Sequence, residues 1–172
     1  ELTCAYCDCD YCGVSGKEKL SSSTRVLTRL TESIPESSGE VGDNISIDAI
    51  LAAAKVLKAH IQANNALPDY VIVNDEQYTL SQFLYLMSKA IGNINDGNLG
   101  NITVVGASSP GTPNGDKIST NINKTEYLDV ASRVSQYIIS NGQAPNYASS
   151  SAGKISYADL LDAFSRILAY YA

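Results

Sequence analysis

Four thiols fall within nine residues near the start of the chain, as Cys4, Cys7, Cys9 and Cys12. Two Cys-x-x-Cys pairs can supply four thiolates to Zn²⁺ or to an Fe–S cluster. A single residue separates the pairs, whereas a structural zinc site normally spreads them over a longer loop. The rival reading is disulfide bonding, within the segment or to a neighbouring subunit. No His follows a Cys-x-x-Cys, which excludes c-type haem. The cofactor expectation stays open between a metal (Zn²⁺ or Fe–S) and none.

Other catalytic chemistry is poorly supplied. His60 is the one histidine, so a Ser-His-Asp or Cys-His arrangement would have to be built on it. It falls within a helical pattern and reads as a surface or boundary residue. Asp8 and Asp10 flank Cys9 without a further partner for acid–base work. The chain is expected not to be an enzyme. Aromatic content is skewed to 11 Tyr against 2 Phe and no Trp. Tyr70 and Tyr147 each stand two residues after a proline, where a ring either packs or stacks on a sugar face with its hydroxyl left to hydrogen-bond.

Charge narrows the partners. The net charge is −6 and no Lys/Arg cluster occurs, so phosphate backbones and anionic membranes lack their electrostatic counterpart. Charged residues make up 17%, and Ser, Asn, Thr, Gln and Gly carry the remaining polarity. No apolar run reaches the roughly 20 residues that would cross a bilayer. Three Asn-x-Ser/Thr triplets, at Asn44, Asn101 and Asn123, are candidate glycosylation sites, with helix capping an alternative role for Asn123. Together with Glu1 in place of an initiating Met, they predict a processed, extracellular or cell-surface protein.

The elements that must position these residues follow from periodicity. Residues 1–16 form a Cys-rich N-terminal arm. Residues 17–46 carry a short helix over 21–34, with Val26, Leu27, Leu30 and Ile34 on one face, and a linker at 35–39. Residues 47–65 place Ile50, Leu51, Ala54, Leu57 and Ile61 at helical spacing. Asn64-Asn65 and Pro68 stop that helix. Tyr70–Val73 reads as a strand, Asp75 as its turn and Tyr78 as the start of a return strand. Thr79-Leu80-Ser81-Gln82 fits a capping box ahead of a second helix led by Phe83, Leu84, Met87 and Ile91.

Adding 77 to each number brings the pattern round again without a gap. Eight of 45 positions are identical, and Leu51, Ala54, Ile61, Asn64, Pro68, Tyr70, Leu84 and Ser88 meet Leu128, Ala131, Ile138, Asn141, Pro145, Tyr147, Leu161 and Ser165. Thr79/Gln82 meet Ser156/Asp159, so the cap chemistry recurs. Core positions, helix stop and cap hold register together, which is the mark of an internal repeat. The second hairpin, from Ala148 to Gly153, lacks the Val-Ile-Val run and reads as a loop or weak edge strand. Residues 95–123 form a long loop, with an apolar stretch at Ile102–Val105 that could add a strand.

The run Leu67-Pro68-Asp69-Tyr70-Val71-Ile72-Val73, followed by Tyr78-Thr79-Leu80-Ser81-Gln82-Phe83-Leu84-Tyr85-Leu86, resembles the pseudomurein-binding repeat of methanogenic archaea. The match is best over 47–94 and weaker over 124–172. The resemblance implies an archaeal cell-surface or adhesin-like protein whose partner is the pseudomurein wall. It implies wall-polymer contact at Tyr70, Tyr78, Gln82, Tyr147 and Tyr157. Family members string several repeats onto a larger protein, and their wall peptidases carry a separate catalytic domain.

The expected fold is α+β and mainly helical: two tandem helix–β-hairpin–helix repeats, at 47–94 and 124–172, behind the arm. The expected function is a non-catalytic secreted surface protein that self-assembles, as a filament subunit cross-linked or metal-clustered through its cysteines. The alternatives are a wall-binding module of a larger surface protein or wall hydrolase, and an extracellular metal-binding or electron-transfer protein.

Overall fold

The computed structural model describes residues 38–172. The Cys-rich arm and the predicted helix over 21–34 lie outside the described residues. Within them the fold is α+β, with four helices and three small antiparallel sheets. In chain order the elements are β1 (Asn44–Ile45), α1 (Ile47–Asn64), β2 (Val71–Val73), β3 (Glu76–Tyr78), α2 (Leu80–Asn95) and β4 (Ile102–Thr103). There follow α3 (Lys124–Asn141), β5 (Tyr147–Ser150), β6 (Gly153–Ser156) and α4 (Tyr157–Tyr171). None of these helices is long and apolar enough to cross a membrane.

Each helix begins where a short polar side chain satisfies an amide that the helix leaves unbonded. Ser46 accepts from Ala49 N, Asn123 from Glu126 N and Ser156 from Asp159 N. Thr79 and Gln82 complete the expected capping box at α2. The ends of α1 and α3 match as well. Asn65 (φ 51°) and Gly142 (φ 63°) take the left-handed conformation, and their N–H groups return to Ile61 O and Ile138 O. Asn64 and Asn141 each cap a carbonyl four residues back, of His60 and Tyr137. Gly39 N donates to Gln77 O as Asp116 N does to Lys154 O, both at 2.8 Å. These pairs of features stand 77 positions apart.

The core is built across the two halves of the sequence. Helix α1 packs mainly on α4, while α2 packs on both α3 and α4. The first helix of each half therefore leans on the second helix of the other. Tyr157 and Ser81 seal the arrangement with a buried hydroxyl–hydroxyl bond of 3.0 Å. Of the residues expected inside, Ala54, Phe83, Leu84, Ala131, Ile138, Leu160 and Leu161 are buried. Leu51, Ile61 and Leu128 are only partly so. Ile50, Ala54 and Leu57 of the expected face, with Ile47 and Ala53 added, carry the inner stripe of α1.

Two expectations about the hairpins are corrected. Tyr78 ends the return strand β3 rather than beginning it. Asn74 and Asp75 make the turn, both at positive φ, as a two-residue primed turn requires. The second hairpin, expected as a loop or weak edge, forms four cross-strand pairs against three in the first. Ala148 and Ile155 point inward, and neighbouring elements hold the edges. Lys154 N donates to Asp116, Ser151 donates to Glu126 through both its amide and its hydroxyl, and Arg133 reaches Ser149 O. Ser and Ala carry weak strand propensity, so tertiary hydrogen bonds decide this hairpin.

The stretch Ile102–Val105 does add a strand. β4 pairs antiparallel with β1, Ile45 opposite Ile102, and so brings residues 44–45, which follow the expected linker, into the fold. Ile102 and Val104 are buried. Gly39 lies over Tyr78, where an added Cβ would stand 2.0 Å from the ring, so that site accepts only glycine.

Two partly exposed carboxylates give a pH prediction. Backbone N–H donation from Glu40, then the Tyr78 hydroxyl, holds Asp43 below the usual carboxylate range. The Ser151 amide, then its hydroxyl, does the same to Glu126. A folded-state pKa that lies below the unfolded value stabilises above the unfolded pKa, and that contribution disappears as pH falls through the folded one. Melting temperature should therefore drop on acidification through the lower carboxylate range, and less steeply for Glu126→Gln. Parallel curves for the two proteins would remove Glu126 from this account.

Candidate ligand-binding grooves

Between α1 and the segment entering β2 runs an open groove of 480 Å³ lined by Val56, Leu57, His60 and Leu67–Ile72. A second groove of 470 Å³ lies between α3 and the segment entering β5, lined by Arg133, Val134, Tyr137 and Pro145–Ser149. Every lining residue of the second stands 77 positions after a lining residue of the first. The same local causes build both. A left-handed residue stops the helix, a proline holds the chain extended, and the tyrosine that follows enters the hairpin beside the helix flank.

The two grooves share shape more than chemistry. In the first, Tyr70, His60 and Pro68 are half-buried, while Val56 and Ile72 open an apolar rim. In the second, Arg133 replaces Val56, Tyr137 replaces His60, Asn146 replaces Asp69 and Ser149 replaces Ile72. Arg133 is tied at both ends, to Asp129 at 2.9 Å and to Ser149 O at 2.7 Å. Lys154 Nζ sits 4.6 Å over the Tyr147 ring, a cation–π contact that occupies one ring face. Tyr137 and Tyr147 remain 41% and 37% exposed, enough for a ring to meet a ligand. A shallow cleft edged by tyrosine, with amide and hydroxyl groups along it, can stack a sugar ring and hydrogen-bond its substituents.

The expected site residues divide. Tyr70 and Tyr147 are brought to equivalent places, one in each groove. Tyr78 and Tyr157 are corrected to core residues, 1% and 9% exposed. The Tyr78 hydroxyl donates to Asp43 at 2.9 Å and to Glu76 at 3.2 Å, and burial with these carboxylates pushes the phenol well above its ordinary pKa. Burial raises Tyr157 too, opposed by its bond to Ser81. Neither ring presents a face to a polymer. Gln82 spends its side chain on the Thr79 cap. Asn44, Asn101 and Asn123 are all exposed, and Asn123 caps α3. Cys4, Cys7, Cys9 and Cys12 lie outside the described residues. Among the described residues no three His, Cys, Asp or Glu side chains gather as a metal site would need.

Sequence reasoning missed His60, Tyr137, Arg133 and Asn146 as groove residues. A signal was present: a flat ring at the same helical position in both halves, one turn from the stop. On one helix alone it reads as a surface residue, and only the returning chain turns it into a wall.

No curated protein and no solved structure matches the chain. A family match does exist, and it falls on the second half rather than on 47–94, where the quoted motifs are fuller. It runs through α3 and β5 and takes in the whole lining of the second groove. Residues 118–150 match the family model of the pseudomurein-binding repeat, the family that the sequence resembles.

Proposed function

We propose that the chain is a non-catalytic, cell-surface protein that binds the pseudomurein wall through two copies of one groove. In this reading 47–94 and 124–172 are tandem repeats of a helix–β-hairpin–helix unit, and each contributes a groove of the same construction. The observation that carries the proposal is the coincidence of the family match with the second groove, together with the recurrence of that groove 77 residues earlier. The polymer would lie along each groove, stacked on Tyr70 or Tyr147 and flanked by His60 or Tyr137. The lining residues hold one carboxylate, Asp69, in the first groove and none in the second, which suits binding without bond cleavage.

The test is cosedimentation of the purified chain with insoluble wall preparations. Binding to pseudomurein sacculi that saturates, with none to bacterial murein, is the expected result. Equal binding to both walls, or to neither, would overturn it.

A further inference from the structure

The two tyrosine-edged grooves differ at two positions in what they offer a ligand's polar groups. In the first, Val56 offers no hydrogen bond and the carboxylate of Asp69 only accepts. In the second, the matching residues Arg133 and Asn146 both present donors. The Asn146 Oδ1 accepts from Thr112 N at 2.9 Å, so its NH2 is the group left for the groove. Arg133 is held from both walls. Its Nε donates to Asp129 Oδ2 at 2.9 Å and its Nη2 to Ser149 O at 2.7 Å. These bonds fix the plane of the guanidinium at one end of the groove. Among the described residues its Nη1 donates to no protein atom. Lys154 adds a second positive charge, 4.6 Å from the centre of the Tyr147 ring. The two carboxylates of α3 nearest Arg133 are both engaged: Asp129 holds the Nε edge, and the oxygens of Glu126 accept from Ser151.

We infer that the second groove selects a carboxylate-bearing unit of the wall polymer, with Arg133 as its charged partner and Asn146 as a further donor along the groove. The first groove does not select such a unit, because Val56 gives it no partner and Asp69 repels it. The inference rests on wall binding at the grooves and adds which chemistry each one reads. A charge-assisted bond from a guanidinium is roughly twice as strong as a neutral one, and a guanidinium already fixed in place loses little freedom in making it. A uronate sugar and an acidic peptide side chain present the same two oxygens, and the test separates them.

The test uses the full chain with one groove weakened at a time. Tyr70→Ala leaves the second groove dominant, and Tyr147→Ala the first. Each is cosedimented with pseudomurein sacculi before and after treatment with carbodiimide and methylamine, which turns wall carboxylates into neutral amides. Amidation should weaken binding of the Tyr70→Ala protein at least about 10-fold and of the Tyr147→Ala protein less than about 2-fold. Added to Tyr70→Ala, Asn146→Asp keeps an acceptor for Thr112 N and should weaken binding to the untreated wall about 10-fold. Arg133→Gln should act in the same direction. Circular dichroism reports whether each variant is folded, and the amidation arm needs no further change to the protein. Displacement from the untreated wall by oligogalacturonate or by the peptide Ala-Glu-Ala, and not by neutral chitooligosaccharide, supports the inference and names the source of the carboxylate. Binding of the Tyr70→Ala protein that is unmoved by amidation, or displaced only by the neutral sugar, overturns the inference and leaves wall binding intact. No binding of that protein to either wall overturns the second groove as a wall site, and the inference with it.

Discussion

Truncating Phe83 to Ala should destabilise the protein by about 3–5 kcal/mol, the range for a fully buried aromatic. Phe83 is 0% exposed on α2, the helix that packs on both α3 and α4. Collapse of its neighbours into the space would have to move elements of both halves, so the cavity term should be near its full value. Against a typical total of ~5–15 kcal/mol, the loss is a large share of stability. Phe164 on α4, which stands 77 positions after Met87 and is 1% exposed, should cost a similar amount. Because each half leans on the other, either variant should unfold in one transition in urea, with both halves lost together. Val56→Ala, at a side chain 70% exposed, should change stability by no more than about 0.5 kcal/mol. A loss below ~1 kcal/mol for Phe83→Ala, or two separate transitions, would contradict the shared core.

The other large effect is on wall affinity. Removing Tyr70 or Tyr147 should weaken its own groove about 10-fold, the equivalent of ~1.4 kcal/mol of stacking and hydrogen bonding. A sacculus presents many copies of its polymer, so a protein with two grooves gains from holding both at once. Avidity of this kind commonly reaches ~10²–10⁴-fold over a single site. The double variant Tyr70→Ala/Tyr147→Ala should therefore fall by about 10²-fold or more, well beyond either single change. Both rings are partly exposed, so stability should move little. Tyr78→Ala is the contrasting control. It empties a core position under Gly39 and should lower stability whatever it does to binding.

The α+β class, the helices α1 to α4 and their caps were legible because each rests on local chemistry. Apolar spacing, a Ser, Thr or Asn at the start, and Asn or Gly at the stop all act within a few residues. The second hairpin was not legible, because Ser-Ser-Ser-Ala has no strand preference of its own and is held by Asp116, Glu126 and Arg133 from distant positions. The site was legible in part. A tyrosine after a proline marked each groove, since the proline fixes where the next residues point. Tyr78 and Tyr157 were misplaced because a strand-end or helix-start tyrosine reads alike whether its ring turns in or out. Ser81, 76 positions away from Tyr157, decides that question, and no local pattern announces it.

The central claim is that one chain holds wall polymer in two equivalent grooves. Short soluble fragments of pseudomurein, too small to bridge the grooves, test it most directly by titration against isotopically labelled protein. The account predicts two sites per chain, with chemical-shift changes clustered around His60 and Tyr70 and around Tyr137 and Tyr147. Tyr70→Ala should silence the first cluster alone, and Tyr147→Ala the second. A single site, or shifts confined to surfaces away from both tyrosines, would contradict it.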